Sequence, residues 1–369
     1  KFYSSQAGKA ECRDIAVDKN NNIYTAGYFT DSVNFDNNNA LLKVYGYSGR
    51  CYISKHDQLG NLIWVKDFGN KYGNKIYSIR ADTNNEIIVC GSFTNLFDTA
   101  DFDPSIAQAL LFENDSAENF ILKLDQNGNY KWVRLLGGFN IFSNSSFDID
   151  KDGNIYVFGM FYSGINVDES NQNFHMLSNG SYDSYIAKIN QHGVILWAKQ
   201  MGGPSDDFPY KIKIDRNYNI IITGTFENTV DFDLSNNVYN LTSSDIDFFI
   251  AKYDSSGNFI FAKNLNAGAF SYPFDLEVDK NNNIYLAGTL YGSVNFDVDS
   301  TYILTSLGNN DGYIAQYNSN GKFIWVKRYA YTGSTNFANT SAVTSISIDD
   351  SSNIHAVGWF RDTIDFDPS

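Results

Sequence analysis

Charged and polar side chains recur at two positions, two and four residues before an aspartate that is repeated six times along the chain. The repeated aspartates, called marker aspartates below, are Asp18, Asp82, Asp150, Asp215, Asp279 and Asp349. Alternate residues of a strand share a face, so in a radial repeat these side chains are expected to point toward a central channel. Carboxylates and bases around one axis can hold a small polar ligand or an ion, and can shift each other's pKa. The candidate channel-lining residues are Asp14, Arg80, Asp148, Lys211, Lys213, Asp275 and Glu277.

These two positions vary from repeat to repeat, whereas the marker aspartate does not. Variation on a constant frame is what a functional site placed on a repeat would show. The alternative is a solvated channel whose charges neutralise one another. The sequence leaves both interpretations open.

The turns that follow the marker aspartates place oxygen-bearing side chains at alternate positions. Calcium binds several oxygen ligands at such a spacing, which makes Asp18, Asp150, Asp152, Asp215 and Asp279 candidate calcium ligands. The acidic residue that ends an EF-hand loop is missing, because the twelfth positions hold Phe29, Phe161, Phe226 and Leu290. Asp and Asn also form tight turns by bonding to their own backbone. The sequence therefore predicts no cofactor, with calcium as the alternative.

Catalytic signatures are absent from the sequence. The histidines, His56, His175, His192 and His355, fall at different positions of the repeat, and no local motif joins a nucleophile to a base. A pair of distant carboxylates for glycoside hydrolysis stays open. The sequence favours a protein without enzymatic activity.

A unit of about 65 residues positions all of these side chains. It contains an alternating apolar segment before the marker aspartate, an Ile-rich segment ending in Gly, a segment of the type aromatic-Ile-x-Lys, and a segment centred on Trp or Phe. Four short strands with hairpin turns, repeated radially, describe a β-propeller blade. A β-solenoid usually has shorter repeats, so the sequence predicts an all-β propeller with a long loop after each second strand.

The phrases Gly153-Asn154-Ile155-Tyr156-Val157-Phe158-Gly159, Asp183-Ser184-Tyr185-Ile186-Ala187-Lys188 and Gly193 to Lys199 carry a family resemblance. With Asp14-Ile15-Ala16-Val17-Asp18, they resemble the SBBP-type β-propeller repeat over nearly the whole chain. The resemblance implies a propeller. It also implies a secreted or surface protein, often from Bacteroidota, without implying a shared activity.

The repeat predicts a single propeller domain over residues 1–369. The predicted blades are 12–69, 76–138, 145–203, 209–266, 273–330 and a partial sixth of 343–369 with 1–4. Residues 1–4 are expected to supply the outer strand of the last blade, which would hide sheet edges, and its third strand is expected beyond Ser369. A six-bladed ring is favoured, with a seven-bladed ring as the alternative.

Composition limits the partners. The net charge of −15 and the pI near 4.6 exclude a nucleic-acid partner, because phosphate binding needs a Lys/Arg-rich surface. No apolar run reaches membrane-spanning length. The composition indicates an extracytoplasmic protein, whether secreted, on the cell surface or periplasmic.

Variable loops on a rigid frame usually carry recognition. The 2–3 and 4–1 loops, including Asn95–Thr99, Asn166–Ser181 and Tyr331–Thr340, are expected to share one face. The leading hypothesis is therefore a non-enzymatic binding or scaffold module that contacts protein or glycan through that face. The alternatives are a polysaccharide hydrolase or lyase with its site at the channel mouth, and a structural or gating subunit of an outer-membrane, surface or secretion assembly.

Overall fold

The secondary structure of the chain is built from strands, turns and bends. The computed structural model describes residues 3–4, 9–35, 41–43, 49–70, 73–94, 99–105, 107–111, 117–137, 146–168, 174–266, 270–330, 340–361 and 363–366. Within these ranges there is no α-helix. Nothing helical in the described ranges is therefore long and apolar enough to cross a membrane.

Five four-stranded sheets, called blades 1 to 5, contain most of the strands. Blade 1 consists of Ala10–Val17, Ile23–Phe29, Arg50–His56 and Leu62–Phe68. Blade 2 consists of Lys75–Ala81, Ile87–Thr94, Ala117–Leu124 and Tyr130–Leu136. Blade 3 consists of Ser146–Ile149, Ile155–Asn166, His175–Ile189 and Ile195–Met201. Blade 4 consists of Phe208–Ile214, Ile220–Asp231, Asn240–Tyr253 and Phe259–Asn264. Blade 5 consists of Tyr272–Val278, Ile284–Leu290, Asp311–Tyr317 and Phe323–Tyr329.

The four strands of every blade neighbour one another in chain order. Tight polar turns join the first strand to the second and the third to the fourth, because a turn of a few residues can only join antiparallel neighbours. The turn after the first strand of blade 4 is an example: Asp215 N–H donates to Asn219 O at 2.9 Å and Tyr218 N–H donates to Asp215 O at 2.9 Å. The predicted fold class, an all-β propeller of four-stranded blades, is confirmed.

The number of blades differs from the favoured six-bladed ring, because five blades have four strands. The sixth repeat contributes a two-stranded sheet of Ser341–Ile348 and Ile354–Phe360. These two strands correspond to the first two strand segments of the unit, which are the segments that the sequence contains for this repeat.

The N-terminal strand pairs elsewhere than expected. Tyr3–Ser4 runs antiparallel to Ser32–Asn34, which also pairs with Leu41–Lys43 in a three-stranded sheet. The expected placement of residues 1–4 in the last blade does not match this pairing, and residues 1–2 lie outside the described residues. Ser32–Asn34 is the central strand of this sheet, and Tyr3–Ser4 covers the edge that Leu41–Lys43 leaves open.

The chain forms two compact units. The first contains Lys1–Ile155, Gly164–Met176 and Lys188–Ala198, and so includes blades 1 and 2 with part of blade 3. The second contains Tyr156–Ser163, Leu177–Ala187 and Lys199–Ser369, and so includes the rest of blade 3, blades 4 and 5 and the sixth sheet. Each unit has its own apolar core, which in the first includes Ile79 and Leu122 and in the second Leu276 and Leu286.

The second and third strands extend past their blade as a hairpin. In blade 4 the pairing of Ile220–Asp231 with Asn240–Tyr253 continues through an irregularity between Glu227 and Thr229 to the pair Asp231 and Asn240. In blades 2 and 5 the extension forms separate two-stranded sheets, Ala100–Asp101 with Leu110–Leu111 and Ser293–Asn295 with Ile303–Thr305. These hairpins account for the unusual length of the repeat.

A buried phenylalanine in the hairpin packs against two neighbouring blades. Phe102 is fully buried, with its ring centroid 4.8 Å from that of Phe120 in its own blade and 6.0 Å from that of Phe68 in blade 1. Phe296 lies similarly between Tyr313 and Phe248, at 5.0 and 6.3 Å. In blades 2 and 5 the phenylalanine of an (Asn/Asp)-Phe-Asp sequence thus provides an aromatic wedge between blades.

Candidate functional site

The marker aspartates hold the turn that joins the first two strands of each blade. In blade 4, Asp215 Oδ1 accepts hydrogen bonds from the N–H groups of Asn217 and Asn219, both at 2.8 Å, and Oδ2 accepts one from Asn219 Nδ2 at 2.8 Å. The same pair of backbone bonds, from the residues two and four positions later, occurs at Asp18, Asp82, Asp150, Asp279 and Asp349. Each marker aspartate thus stabilises its own turn.

In three blades, a lysine of the third strand contacts the marker aspartate of the same blade. Lys252 Nζ lies 2.8 Å from Asp215 Oδ2 and Lys123 Nζ lies 2.9 Å from Asp82 Oδ2, with both carboxylates fully buried. Lys55 Nζ lies 3.8 Å from Asp18. A buried carboxylate needs such a partner, because an uncompensated buried charge is costly.

Hydrogen-bond donors, rather than burial, decide the direction in which the pKa of Asp215 and of Asp18 shifts. Burial acts to raise the pKa of Asp215, but the bonds from Lys252 and Asn219 outweigh it and hold that pKa below its usual range. At Asp18, burial is likewise outweighed by the bonds from Asn22 and Tyr24, which lower its pKa.

The candidate calcium ligands belong to these same turns. Asp18, Asp150, Asp215 and Asp279 accept bonds from their own turn, and Asp152 N–H is one of the donors to Asp150. Across the described part of the chain, no group of three or more His, Cys, Asp or Glu side chains is arranged to hold a metal ion. A calcium ion would have to displace these bonds, and the calcium interpretation stays a prediction.

The candidate channel residues of the first unit link the first strands of neighbouring blades. Asp14 of blade 1 accepts bonds from Ser78 Oγ at 2.7 Å and Ile79 N–H at 2.9 Å, and pairs with Arg80 Nη1 at 2.9 Å. The Arg80 guanidinium lies 5.8 Å from the ring centroid of Phe147 in blade 3, a cation–π contact. Asp148 is the next residue on that strand.

The candidates of the second unit form the corresponding links between blades 4 and 5 and the sixth sheet. Lys213 Nζ lies 2.7 Å from Glu277 Oε1, and Lys211 Nζ lies 3.7 Å from Asp275 Oδ1. Asp275 also accepts bonds from Ser345 Oγ at 2.9 Å and Ile346 N–H at 2.8 Å. The structure therefore brings these four residues together as opposite charges on adjacent first strands, where each carboxylate has a partner.

A small polar cavity opens beside three marker turns of the second unit. Its volume is about 210 Å³, and Arg216, Lys280 and Asp350 line it together with residues of the turns. Lys280 Nζ donates to Asp350 O at 2.8 Å, and Arg216 N–H donates to Asn282 Oδ1 at 3.0 Å. Both contacts join neighbouring turns, so residues that line the cavity also hold these turns together.

In the second unit, the 2–3 hairpins of blades 4 and 5 contact the preceding 4–1 segments. Asn228 Nδ2 of the blade 4 hairpin donates to Ser205 Oγ of the preceding 4–1 segment at 2.7 Å. In blade 5, Tyr291 N–H donates to Ser271 Oγ at 2.9 Å. Of the loops singled out by their length, residues 95–98, 169–173 and 331–339 lie outside the described residues.

An exposed aromatic pair lies at these segments of blade 5. Phe270, in the 4–1 segment, is 60% exposed and Tyr291, at the base of the hairpin, is 43% exposed; their ring centroids are 5.7 Å apart in an edge-to-face arrangement. Nearby on the hairpin, Tyr302, Ile303 and Leu307 are also exposed. Sequence reasoning did not single out this pair; the equivalent positions hold Thr30, Glu227 and, in blade 3, Tyr162.

Two buried carboxyl groups in blades 3 and 4 were also missed. Asp183 accepts bonds from Asn179 N–H at 2.7 Å and Gln200 Nε2 at 2.9 Å, and Asp207 accepts one from Gly203 N–H at 2.6 Å. Within the described residues, Oδ1 of each is buried without a hydrogen-bond partner. Burial, with a contribution from the charge of Asp183, raises the pKa of Asp207 to about 8, and burial also raises the pKa of Asp183.

Comparison with known proteins agrees with this geometry. The family model of the SBBP β-propeller repeat matches residues 4–35. This is a β-propeller repeat protein. Its recognised repeat covers the first two strands of blade 1, including the marker turn at Asp18 and the start of the wedge hairpin.

The β-propeller repeat protein is also similar to an uncharacterised WD repeat-containing protein of Acanthamoeba polyphaga mimivirus. The two are 24% identical over an alignment of 424 positions, which covers 94% of this chain and 30% of the viral protein. The chain thus spans less than a third of the length of that relative.

Two solved structures are similar to this chain. One is a protein of unknown function from Bacteroides caccae, 10% identical, with a TM-score of 0.40 over 86% of this chain and 82% of that one. The other is a catalytically inactive virginiamycin B lyase from Staphylococcus aureus with quinupristin, 11% identical, with a TM-score of 0.39 over 98% and 94%. Similarity at this level carries no functional argument.

Proposed function

We propose that this β-propeller repeat protein is a non-enzymatic, extracytoplasmic binding or scaffold module that recognises protein or glycan through the face of its 2–3 and 4–1 segments. The observation that carries the proposal is the exposed pair of Phe270 and Tyr291. Aromatic side chains are enriched in the centres of binding interfaces, because they bury a large area at a low entropic cost.

The contrast with the strands of the frame supports this assignment. In the same blade, Ile284 and Leu286 are fully buried and Tyr313 is buried against the wedge Phe296. The aromatic and aliphatic side chains of the hairpin, Tyr302 and Ile303, remain 47% and 59% exposed. Contiguous exposed rings such as Phe270 and Tyr291 favour a partner surface over a solvated one.

The chain's charge favours certain partners. With a net charge of −15, it would repel an acidic macromolecule and attract a neutral or basic one. Tyrosine and phenylalanine rings stack on the apolar faces of sugars as well as on protein side chains. A neutral glycan or a basic protein surface is therefore the proposed class of partner.

A hydrolase at the channel is less well supported. Glycoside hydrolysis needs one carboxyl group as acid and a second as nucleophile or base. Glu277 is instead ion-paired with Lys213, and Asp275 accepts bonds from the backbone and side chain of the sixth sheet. Those contacts give both carboxylates a structural role.

Paired alanine variants test the proposal. Phe270→Ala with Tyr291→Ala is expected to abolish binding on an array of neutral glycans and on a panel of purified basic proteins, with the melting temperature unchanged. Ile260→Ala with Ile324→Ala is the matched control, because these fourth-strand side chains are 47% and 50% exposed. Equal retention by both variants would remove Phe270 and Tyr291 from the binding face.

A further inference from the structure

The first strands of blades 4 and 5 both begin with an aromatic-proline-aromatic sequence. Phe208-Pro209-Tyr210 and Tyr272-Pro273-Phe274 each stand seven to five residues before the marker aspartate of their blade. Both prolines are buried, whereas the four rings are partly exposed. The equivalent first and third residues in blade 1 are Glu11 and Arg13, which form an ion pair at 2.9 Å. The aromatic residues are therefore not required by the repeat.

A break in strand pairing positions the second ring of each sequence. In blade 4 the register with the second strand shifts between Pro209 and Lys211, so that Tyr210 is skipped. Phe274 is skipped in the same way in blade 5. A skipped residue leaves the regular alternation of the strand, and irregularities of this kind re-aim side chains next to functional sites. Both blades therefore take one aromatic ring out of the regular pleat.

These rings belong to a row that crosses three blades within the second unit. The aromatic row consists of Tyr162 and Tyr182 of blade 3, Phe208 and Tyr210 of blade 4, and Tyr272 and Phe274 of blade 5. In this order, neighbouring ring centroids are 5.2 and 6.0 Å apart as far as Phe208, and 6.3 and 6.0 Å apart from Tyr210 onward. Phe208 and Tyr210 are alternate residues of one strand, about 7 Å apart along the backbone.

The rings of the aromatic row remain accessible to solvent. Tyr162 is 49% exposed, and the other five residues are partly exposed. The planes of successive contacting rings are inclined by 44°, 33°, 34° and 19°, so the rings approach a common orientation. Contiguous aromatic surface left in water is typical of a binding site.

The charged groups next to the row are paired, bonded or buried. Lys211 Nζ lies 3.7 Å from Asp275 Oδ1, and Asp206 Oδ1 accepts a bond from a backbone N–H of blade 3 at 3.3 Å. Asp183 and Asp207 adjoin two rings of the row in sequence, and burial raises the pKa of both carboxyl groups, which favours their uncharged form. With the net charge of −15, this arrangement selects a neutral ligand over an acidic one.

The shape of the row distinguishes between classes of ligand. A protein partner concentrates its binding energy in a central cluster with a rim around it, whereas this row is a series in which each ring contacts the next. A peptide that binds by strand addition needs a free strand edge, but the row crosses blades, and the second strands of blades 3, 4 and 5 each lie between the first and third strands. A chain of sugar rings needs no strand edge, because its apolar faces stack on aromatic rings and its hydroxyls bond with tyrosine hydroxyls.

We propose that the aromatic row binds a linear, neutral polysaccharide that lies across blades 3, 4 and 5 with successive sugar rings stacked on successive aromatic rings; the proposal rests on the proposed binding function and specifies its ligand. Phe270 stands two residues before Tyr272, so the exposed pair of Phe270 and Tyr291 continues the row at one end. Tyr162 lies at the other end.

Retardation in native gels that contain a soluble neutral polysaccharide tests this proposal. The probes are hydroxyethylcellulose, glucomannan and amylose, followed by calorimetry with oligosaccharides of increasing length from the polymer that retards the chain. Retardation by at least one polymer is expected, with an affinity that increases with oligosaccharide length. Tyr210→Ala with Tyr272→Ala is expected to weaken binding by about tenfold, because it removes two stacking rings. Tyr210→Phe with Tyr272→Phe should retain most of the affinity, because it keeps both rings.

A variant at the end of the row measures its extent. Tyr162→Ala is expected to weaken binding of the longest oligosaccharides and to leave that of the shortest unchanged, and the exposure of this side chain protects the fold from the substitution. Tyr77→Ala is the matched control, because Tyr77 occupies the position of Tyr210 in blade 2, within the first unit, and should leave the affinity unchanged. Circular dichroism and thermal melting verify that each variant is folded.

Three results would overturn the proposal. Absence of retardation by every polysaccharide would remove the glycan ligand, and the proposed function itself would fall only if the panel of basic proteins also failed to bind. Full affinity of the Tyr210→Ala, Tyr272→Ala variant and of Tyr162→Ala, with loss for Phe270→Ala, Tyr291→Ala, would keep the binding pair and remove the row. Saturable binding of poly-L-proline through the row, without polysaccharide binding, would assign the row to proline-rich peptides.

Discussion

At the scale of single residues, the repeat permits one blade to be compared with another. Asn74 of blade 2 and Asp207 of blade 4 both stand eight residues before a marker aspartate, and both accept a bond from the backbone four residues earlier. Asn74 Nδ2 also donates to Asn70 O at 2.5 Å and Gly49 O at 3.3 Å. Asp207 can donate in that direction only while it is protonated.

The first prediction concerns the pH dependence of stability. The folded chain holds a proton on Asp207 up to a pKa of about 8, whereas an unfolded aspartate releases it near pH 3.9. The stability that this proton contributes is complete below about pH 4 and is lost as the pH rises toward 8. Asp207→Asn is therefore expected to raise the free energy of unfolding at pH 8 by roughly 1–3 kcal/mol, with little effect at pH 4, measured by urea denaturation.

The reciprocal variant is the control for this prediction. Asn74→Asp places an acid in the same position of blade 2, and it should lower the free energy of unfolding increasingly as the pH rises. An effect of Asp207→Asn that is constant between pH 4 and pH 8 would show that ionisation of this carboxyl group is not its cause.

At the scale of strands and hairpins, burial distinguishes equivalent elements. Phe232 and Phe366 occupy the same position of the repeat, yet Phe232 is fully buried and Phe366 is 67% exposed. Phe232→Ala is expected to lower the free energy of unfolding by about 3–5 kcal/mol, because it leaves a cavity between aromatic neighbours. Phe366→Ala is expected to change it by less than about 0.5 kcal/mol.

Urea denaturation of both variants measures this difference. The midpoint of Phe232→Ala should fall while that of Phe366→Ala stays at the value of the unaltered chain. Similar midpoints would mean that the wedge contributes little packing energy. A large loss for Phe366→Ala would mean that its side chain is covered in solution.

Local sequence patterns suffice for the strands but not for the long-range contacts. The alternation before each marker aspartate and the Gly turns predict the blade strands, because a strand's period is two and a hairpin's turn is local. The two-residue strand Tyr3–Ser4 has no such pattern, and its partner Ser32–Asn34 was not predicted. Strands this short are placed by whichever edge lies nearby.

The candidate site shows the same limit. Asp14, Lys213 and Asp275 were singled out by their position in the repeat, but their partners lie 64 to 71 residues away in the next repeat. The sequence left open whether they bind a ligand or neutralise one another in a channel, and the structure shows that they form bonds between adjacent first strands. The exposure of Phe270 and Tyr291 depends on how loops pack, which the pattern of a single repeat does not encode.

At the scale of the whole molecule, the net charge favours calcium binding, whereas the hydrogen bonds of the marker turns disfavour it. A chain of charge −15 attracts divalent cations to its surface, but the marker carboxylates already bond to their turns and, at Asp82 and Asp215, to lysine. Calcium at 1 mM is therefore expected to raise the melting temperature no more than magnesium at the same concentration, since both act by screening. Chelation by EDTA should leave the melting temperature unchanged. A calcium-specific increase, abolished by Asp150→Asn with Asp152→Asn, would place a calcium site in the marker turn of blade 3.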